Sequence, residues 1–322
     1  RVRSSAASDV YKRQGYPFFE DWGRDTMIAL AGTTLVTGRL EECKSILQTF
    51  AKYEHHGLLP NLFPEGDVEP MYNSVDAPLL FINAVYEYIQ ASKDNAFLQE
   101  VWDVLKRIMT AYEKGTDYHI GMDSDCLIQA GADLEQLTWM DVRVGNYLPT
   151  PRHGKPVEIN AYWYNDLEIM KQFALLQQDN KLAQHYAELA DKVKEAFLLK
   201  FWNEEENCLK DVLSGNSEEN QVRCNQVWVL SMPYTMLPKE KELCVLHKIK
   251  EELYTTAGLR TLSPKDSAFH DIYIGSMQER DRAYHQGTVW AFPLGAYYRA
   301  WTKYLRQDAS DKTLSLIHIS EP

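Results

Sequence analysis

The sequence alternates between two kinds of helical segment, and this alternation constrains the fold more than any other feature. One kind is amphipathic, with apolar residues at helical spacing on one face and charged residues on the other. The other kind is apolar nearly all round, so it must be buried on most of its sides. Amphipathic helices are predicted at 39–54, 94–115, 180–201 and 238–254. Buried helices are predicted in MIALAGTTLV (27–36), APLLFINAVYEYI (77–89), AYWYNDLEIMKQFALL (161–176), QVWVLSMPYTML (226–237) and GTVWAFPLGAYYRAW (287–301).

The connections between these segments alternate in the same way. Those that run from a buried helix to the next amphipathic one are short, whereas those leading back are long, at 55–73, 116–159, 202–221 and 255–283. A ring of helical hairpins with the buried helices inside produces this pattern and brings the long loops to one face. We therefore predict an all-α fold, an (α/α)6 toroid of helical hairpins truncated at both ends, with its function among the loops. Two loops are predicted to hold β-hairpins, YHIGMDSDCLIQAG (118–131) and FWNEEENCLKDVL (201–213).

The two ends of the chain read as foreign sequence. Residues 4–14, SSAASDVYKRQ, and residues 314–322, LSLIHISEP, resemble translated sequencing adapters. We therefore expect 1–14 and 313–322 to be adapter-derived and non-native, and leave both out of the fold reasoning. Residues 15–312 are expected to form one incomplete domain.

Composition excludes several classes of function. A net charge of −12 argues against a nucleic-acid partner, because no basic stripe is available to neutralise phosphates. No internal stretch approaches the roughly 20 apolar residues of a membrane span, so no membrane partner is expected. The five cysteines lack metal or redox spacing and read as reduced thiols, which weakly favours the cytoplasm. His55 and His56 lack a third ligand, and Asp123 to Asp125 is too short for a calcium loop, so neither metal nor cofactor is predicted.

Unusual polar residues concentrate in four loops. Asp25 is predicted to cap the helix after FFEDWGRD, and Asn73 or Ser74 the helix that has Asp76 in its first turn. The third loop is 137–165 and the fourth is 258–290. Capping and solvation explain each loop taken alone. Four such loops at one mouth favour a carbohydrate or another polyhydroxylated ligand.

Six motifs in order carry a resemblance to a known family. They are WGRDT (22–26), YNSVDA (72–77), QLTWMD (136–141), TPRHGKPVEINA (150–161), GLRTLSP (258–264) and AYHQGTVW (283–290). From Gly15 to about Trp301 the chain resembles the amylo-α-1,6-glucosidase domain of glycogen debranching enzymes. The resemblance implies an (α/α)6 catalytic domain that hydrolyses α-1,6-linked glucosyl stubs with inversion, in glycogen catabolism. It also implies glycogen, or a branched α-glucan such as a limit dextrin, as the partner.

The resemblance assigns roles to individual residues. Asp141 is expected to be the general acid, and the neighbouring Trp139 and Met140 provide a setting that can raise the pKa of its carboxyl group. Arg24 and Asp25 are expected to bind hydroxyls of the terminal glucose. Stacking faces are expected from Trp22 and Trp139, and a polar lining from Asn73, Asp76, Lys155, Glu158, His285 and Gln286. For Glu158, an acid facing the dipole at a helix N-terminus is an equally good interpretation.

The general base is not assigned to any residue. The family's base is a glutamate in a later loop, which is expected beyond residue 312, so the fragment is expected to be inactive. Two alternatives remain open. One is a different (α/α)6 glycosidase, of the glucoamylase or trehalase type, and the other is a non-catalytic glucan-binding module.

Overall fold

The computed structural model describes residues 21–63, 69–215 and 217–319, and it is mostly helical. The predicted foreign segment 1–14 lies outside the described residues. Ten α-helices are described: α1 Gly23–Leu30, α2 Leu40–Lys52, α3 Ala77–Ser92, α4 Asn95–Lys114, α5 Val157–Leu176, α6 Asn180–Lys200, α7 Val227–Ser231, α8 Lys239–Lys248, α9 Met277–Ala283 and α10 Pro293–Ile319. None of the helices in this part of the chain is both long and apolar enough to cross a lipid bilayer.

The predicted amphipathic helices are confirmed as α2, α4, α6 and α8. In α4 the apolar stripe is buried from Phe97 to Tyr112, with charged residues outside. Asp94 and Asp179 cap α4 and α6, because each side chain accepts a hydrogen bond from a backbone amide three residues later, at 3.0 Å. Helix α8 ends in a π-helical turn, Ile249–Leu253.

The apolar helices form a row inside the fold. Helix α1 contacts α3, α3 contacts α5, α5 contacts α7, and α7 contacts α10. The amphipathic helices α2, α4, α6 and α8 pack against members of this row. Because α3 and α5 have neighbours on both sides, most of their residues are buried. The loops that precede the inner helices therefore meet, and they supply the polar site described below.

Short antiparallel strands tie the loops together. The two predicted β-hairpins are confirmed as β3 Gly121–Met122 with β4 Ile128–Gln129, and β6 Trp202–Asn203 with β7 Cys208–Leu209. The other strands were not predicted: β1 Asp21–Trp22 pairs with β2 Leu62–Phe63, β5 Lys155–Pro156 with β8 Val212–Leu213, and β10 Gly258–Arg260 with β9 Tyr254–Thr255 and β11 Val289–Trp290. Apart from the local β9–β10 hairpin, these pairs join segments far apart in sequence, which local patterns cannot indicate.

Two predicted buried helices are wrong in extent, and proline is a reason in both. Helix α7 ends at Ser231, because Met232 precedes Pro233 and takes an extended conformation with ψ 155°. The segment 287–301 is not helical throughout. It begins with β11, and α10 starts only at Pro293, whose fixed φ suits a first helical position.

The first inner helix and the last long loop also differ from prediction. Helix α1 starts at Gly23, so Asp25 lies in its first turn while Trp22 occupies the N-cap position. After Leu30 the chain continues as a π-helical turn, where threonine hydroxyls bond carbonyls one turn back, as Thr33 does to Ala29 at 2.9 Å. The loop at 255–283 contains the unpredicted α9, although Ser276 and Glu279 form a capping box that the sequence displays.

Candidate active site

Arg24 is the centre of a buried ionic cluster at the start of α1. Its Nε donates to Asp76 Oδ2 at 2.6 Å, and its Nη2 donates to the carbonyl of Leu137 at 3.1 Å. Its Nη1 lies 3.5 Å from Asp141 Oδ2. Ser74 Oγ donates to the other oxygen of Asp76 and also accepts from the amide of Ala77. Asp76 itself holds the N-cap position of α3, so the prediction of a cap at Asn73 or Ser74, with Asp76 in the first turn, is wrong by two to three residues. Three of the motif loops therefore converge on one guanidinium group.

Close backbone packing places Arg24 there. The amide of Gly23 donates to the carbonyl of Asn61 at 2.9 Å. A β-carbon at Gly23 would lie 2.0 Å from the carbonyl oxygen of Pro60, which no side chain tolerates. Glycine in WGRDT therefore lets the start of α1 press against residues 60–61, and this contact directs the next side chain inward.

Asp141 is the incompletely paired carboxylate of this cluster. Its side chain is 38% exposed, whereas that of Asp76 is only 4% exposed. Burial raises the pKa of Asp141 above its ordinary value, and the charge of Arg24 opposes this rise. Asp25 as a whole residue is exposed, but its carboxyl group is partly desolvated next to the cluster. This desolvation raises the pKa of Asp25; Arg24 opposes the rise, and the charges of Asp76 and Asp141 add to it. Asp141 is thus a solvent-connected carboxyl group that holds its proton more firmly than a free one.

An aromatic cluster surrounds Trp139, two residues before Asp141. Its ring meets His285, Trp290 and Phe292 edge-on, with centroids 5.2, 5.7 and 5.0 Å away. The side chain is only 9% exposed, so the predicted role of Trp139 as a sugar-stacking face is not supported. The ring is instead a hub that fixes the loop carrying Asp141.

His285 is buried in the same cluster and stacks on Trp290, with centroids 5.7 Å apart. Burial, followed by the positive charges of Arg223 and Arg24, lowers its pKa to about 3. The imidazole is therefore neutral near neutral pH, and it offers a hydrogen bond without a charge. Its Nδ1 atom has no partner among the described residues.

A second buried ionic centre lies around Arg152. Arg152 donates to both carboxylate oxygens of Glu158, and its Nε donates to Asp211 Oδ2 at 2.8 Å. Asn225 donates to Asp211 Oδ1 at 2.8 Å and accepts from Trp139 Nε1 at 2.7 Å. The chain of bonds therefore runs from Arg152 to the ring beside Asp141. Lys155 and Glu158 were predicted from the motif that also contains Arg152, but Arg152 itself was not. No sequence signal singles out Asp211 or Asn225.

This arrangement limits what Glu158 can do. The carboxylate is 1% exposed and both its oxygens are taken by Arg152. It lies in the first turn of α5, as the helix-terminus interpretation requires. Burial raises its pKa, and Arg152 opposes the rise. Glu158 is thus an internal partner of Arg152 and has no exposed oxygen for a sugar hydroxyl.

The remaining predicted residues divide between the site and the scaffold. Gln286 accepts from Arg223 Nη2 at 2.6 Å and donates to the carbonyl of Pro149, so both ends of its amide are occupied. Lys155 bonds Asp123 and Asp125 of the β3–β4 hairpin, each at 2.7 Å, and makes no ion pair with Asp141. Trp22 is half-buried, lies in β1 and occupies the N-cap position of α1, where its side chain makes no capping hydrogen bond.

Unpartnered buried polar atoms mark the same loops. Among the described residues, seven buried side-chain atoms lack a hydrogen-bond partner, and four of them belong to the motif segments: Asn73 Oδ1, Gln136 Nε2, Thr150 Oγ1 and His285 Nδ1. Buried polar atoms are normally paired, so such a concentration indicates atoms available to a polar ligand.

The described residues contain no group of three or more histidine, cysteine or acidic side chains arranged to hold a metal ion. The rings of His55 and His56 stack on each other at 3.9 Å, and His56 Nδ1 lies 3.5 Å from Asp117. Both histidines line an open groove of about 940 Å³ between the end of α2 and α4, which includes none of the residues around Arg24.

Comparison with known proteins finds similar sequences among yeast enzymes. The yeast Saccharomyces cerevisiae has a glycogen debranching enzyme that is 26% identical over 372 aligned positions, covering 87% of this chain and 24% of that protein. A mannosyl-oligosaccharide glucosidase from the same yeast is 28% identical over 130 positions, covering 38% of this chain and 14% of the enzyme. The chain thus spans about a quarter or less of the length of these relatives.

Two solved structures are similar in fold. A rhamnosidase from Klebsiella oxytoca with rhamnose bound superimposes with a TM-score of 0.54 at 16% identity, covering 71% of this chain and 41% of that one. A sialidase superimposes with a TM-score of 0.57 at 17% identity, covering 81% of this chain and 22% of that one. At such low identity, these likenesses bear on the fold alone.

The family model for amylo-alpha-1,6-glucosidase matches residues 3–320. This range includes every motif that converges on Arg24 and Trp139. The chain therefore belongs to the amylo-alpha-1,6-glucosidase family of glycoside hydrolases.

Proposed function

We propose that this site removes single α-1,6-linked glucosyl stubs from glycogen or a similar branched α-glucan, by hydrolysis with inversion. The observation that carries the proposal is Asp141, a partly exposed carboxyl group with a raised pKa beside the buried Arg24. An inverting glycosidase needs one carboxyl group that is still protonated when substrate binds. The name of the yeast debranching enzyme supports the choice of substrate.

In the proposed mechanism, Asp141 donates its proton to the glycosidic oxygen as the bond to the leaving chain breaks. Arg24 and Asp25 bind hydroxyls of the terminal glucose. Asn73 and the neutral His285 extend the polar lining, because each presents a buried atom without a partner among the described residues. Arg24 also keeps a cation 3.5 Å from Asp141, which stabilises the carboxylate once the proton has left.

The second carboxylate activates the attacking water, and in inverting enzymes it stands roughly 6.5–9.5 Å from the acid. Glu158 does not suit this role because Arg152 occupies both of its oxygens. Asp76 is bonded to Arg24 and Ser74. Since the family resemblance implies a glutamate in a later loop, we propose that the base lies beyond residue 312, and that residues 15–312 alone release no glucose.

We also propose that the inner row of helices is part of an (α/α)6 toroid. Support comes from the order of contacts, since each apolar helix touches the next and the amphipathic helices lie outside them. Support also comes from the way in which the loops before α1, α3, α5 and α7 meet around Arg24 and Arg152. A structure of the full-length protein would test whether this row closes into a ring.

The decisive test of the function compares two carboxylates of the same cluster in the full-length protein. Asp141→Asn keeps the size of the side chain but removes the proton, so kcat should fall by about 10²–10⁴-fold while glucose still binds. Asp25→Asn, the matched control, should raise KM more than it lowers kcat. If Asp141→Asn keeps wild-type kcat on a dextrin with α-1,6 glucosyl stubs, the proposed acid is wrong.

Substrate choice separates the remaining alternatives. An enzyme of the glucoamylase or trehalase type would prefer α-1,4 oligosaccharides or trehalose over the α-1,6 stub. A glucan-binding module would bind dextrin and release no glucose, even in the full-length protein. Glucose release from the three substrates under identical conditions therefore distinguishes the proposals.

A further inference from the structure

A strip of exposed apolar side chains leads into α9 and ends at its first residue, Met277. Ile272 is 60% exposed, Tyr273 46%, Ile274 71% and Met277 68%. Single apolar residues are common on protein surfaces, but adjoining ones that face solvent together indicate a binding surface. Asp271, also exposed, adds a hydrogen-bonding group to the same strip.

The strip is held at both of its ends. The amide of His270 donates to the carbonyl of Gln286 at 2.7 Å. Gly287, with φ +131°, allows Phe269 to pack there, since a β-carbon would lie 2.6 Å from the Phe269 ring. At the other end, Ser276 and Glu279 close the capping box of α9. The apolar side chains are therefore presented by an anchored segment.

A row of rings connects the strip to the proposed acid. The ring of Tyr273 lies 5.8 Å from that of Tyr284, and Tyr284 lies 5.0 Å from Trp290. Trp290 in turn lies 5.7 Å from Trp139, which is two residues from Asp141. Burial raises the pKa of Tyr284, followed by the charges of Tyr273 and Asp141, which is consistent with this closeness.

A second exposed ring stands on the loop that follows Asp141. Tyr147 is 55% exposed, and the guanidinium carbon of Arg282 lies 5.6 Å from its ring centroid. Arg282 belongs to α9, so the Tyr147 loop and the helix that follows the strip are neighbours. Exposed tyrosines therefore stand both on the loop that follows Asp141 and on the segment before α9 that the row of rings connects to Trp139.

We propose that Tyr273, flanked by Ile272 and Ile274, is the platform on which the glucan chain that carries the stub rests. This inference depends on the proposed function. When a stub is cut, the leaving group is itself a chain of glucose units, and this chain must contact the surface next to the acid. Glucose rings have apolar faces and hydroxyl rims, which match an aromatic face with nearby polar groups. The row of rings from Trp139 makes the strip continuous with the site, which favours a glucan over a protein as its occupant.

Binding of two ligands to the 322-residue chain tests the platform. Calorimetric titration would use glucose, and a maltodextrin that carries one α-1,6-linked glucosyl stub. Tyr273→Ala should weaken dextrin binding about tenfold, equal to about 1.4 kcal/mol, and change glucose binding less than about twofold. Tyr273→Phe should bind both ligands like the wild type, because it keeps the ring. Ile272→Ser should weaken dextrin binding by a smaller factor.

Tyr298→Ala is the matched control, because Tyr298 is 53% exposed and contacts Tyr254 and Tyr297 instead of the rings around Trp139. It should leave both affinities unchanged. Unchanged dextrin affinity in Tyr273→Ala, or equal losses for both ligands, overturns the platform. Sedimentation of the same variants tests the other occupant: if the wild-type chain self-associates and Tyr273→Ala abolishes this while dextrin binding is unchanged, the strip is a protein interface and the platform is overturned. If Arg24→Ala binds both ligands as well as the wild type, the proposed function fails and the platform fails with it.

Discussion

Replacing Arg152 with methionine should destabilise the protein severely. The side chains of Arg152, Glu158 and Asp211 are 3%, 1% and 3% exposed, so all three charges are cut off from water. Arg152→Met removes the cation but leaves both carboxylates inside. Breaking a buried pair by removing one partner costs about 3–5 kcal/mol. Because one arginine here serves two carboxylates, we expect a loss in the upper part of that range.

The size of the loss should depend on pH, with a definite sign. Burial already raises the pKa of Glu158, and Arg152 opposes the rise. Without Arg152 the pKa of Glu158 rises further in the folded state. Above the ordinary pKa of a glutamate, the folded variant therefore keeps a proton on Glu158 that the unfolded chain has released. Stability then falls with increasing pH wherever the folded state binds more protons. The deficit of Arg152→Met should therefore grow from about pH 5 to about pH 8.

Urea unfolding at both pH values, followed by circular dichroism, measures the effect. Arg299→Met is the control, because Arg299 forms an ion pair with Glu87 at the protein surface, with an N–O distance of 3.0 Å. That change should cost less than about 1 kcal/mol at either pH. Adding Glu158→Gln to Arg152→Met should recover part of the loss, because it removes a buried charge. A loss below about 1 kcal/mol in Arg152→Met, or a deficit that shrinks as pH rises, would refute the reasoning.

Three further predictions concern separate features. Arg24→Met removes the charge that lowers the pKa of Asp141, so the alkaline limb of the kcat/KM profile of the full-length protein should move to higher pH as its rate falls. Ser276→Ala breaks the capping box of α9 and should cost about 1 kcal/mol in urea unfolding. Asp166 is fully buried with a strongly raised pKa, and its Oδ2 has no partner among the described residues. Asp166→Asn should therefore gain stability relative to the wild type as pH rises from about 5 to about 8, measured by thermal unfolding.

Local sequence patterns were sufficient to predict the amphipathic helices, which have one solvent-exposed face. In α4 and α6 the apolar spacing, together with the caps Asp94 and Asp179, marks both the helix and its start. The same patterns over-extended the apolar segments, because strands and buried helices are equally apolar. Trp290 illustrates this, since its segment reads as helix but pairs with β10.

The site was predictable where residues act within one motif and unpredictable where they act across the chain. WGRDT and QLTWMD contain Arg24 and Asp141, which the structure brings to 3.5 Å. By contrast, Asp211 lies 59 residues from Arg152 and has no motif of its own. Its role arises from tertiary packing, which also turned Trp139 from an expected sugar platform into a buried hub. Exposed side chains next to that hub, Tyr273 above all, are the better candidates for contact with sugar.

The two buried arginines determine which carboxylates remain available for chemistry. Arg152 occupies Glu158 and Asp211, and Arg24 holds Asp76 at 2.6 Å but Asp141 only at 3.5 Å. A carboxylate whose oxygens are both bonded inside the protein has none free for a substrate. The side chain of Asp141 is 38% exposed, and desolvation outweighs the opposing charge of Arg24, so the pKa of Asp141 rises instead of falling. In the proposed mechanism, Asp141 therefore holds the proton for the departing glycosidic oxygen, and Arg24, 3.5 Å away, stabilises the carboxylate that remains.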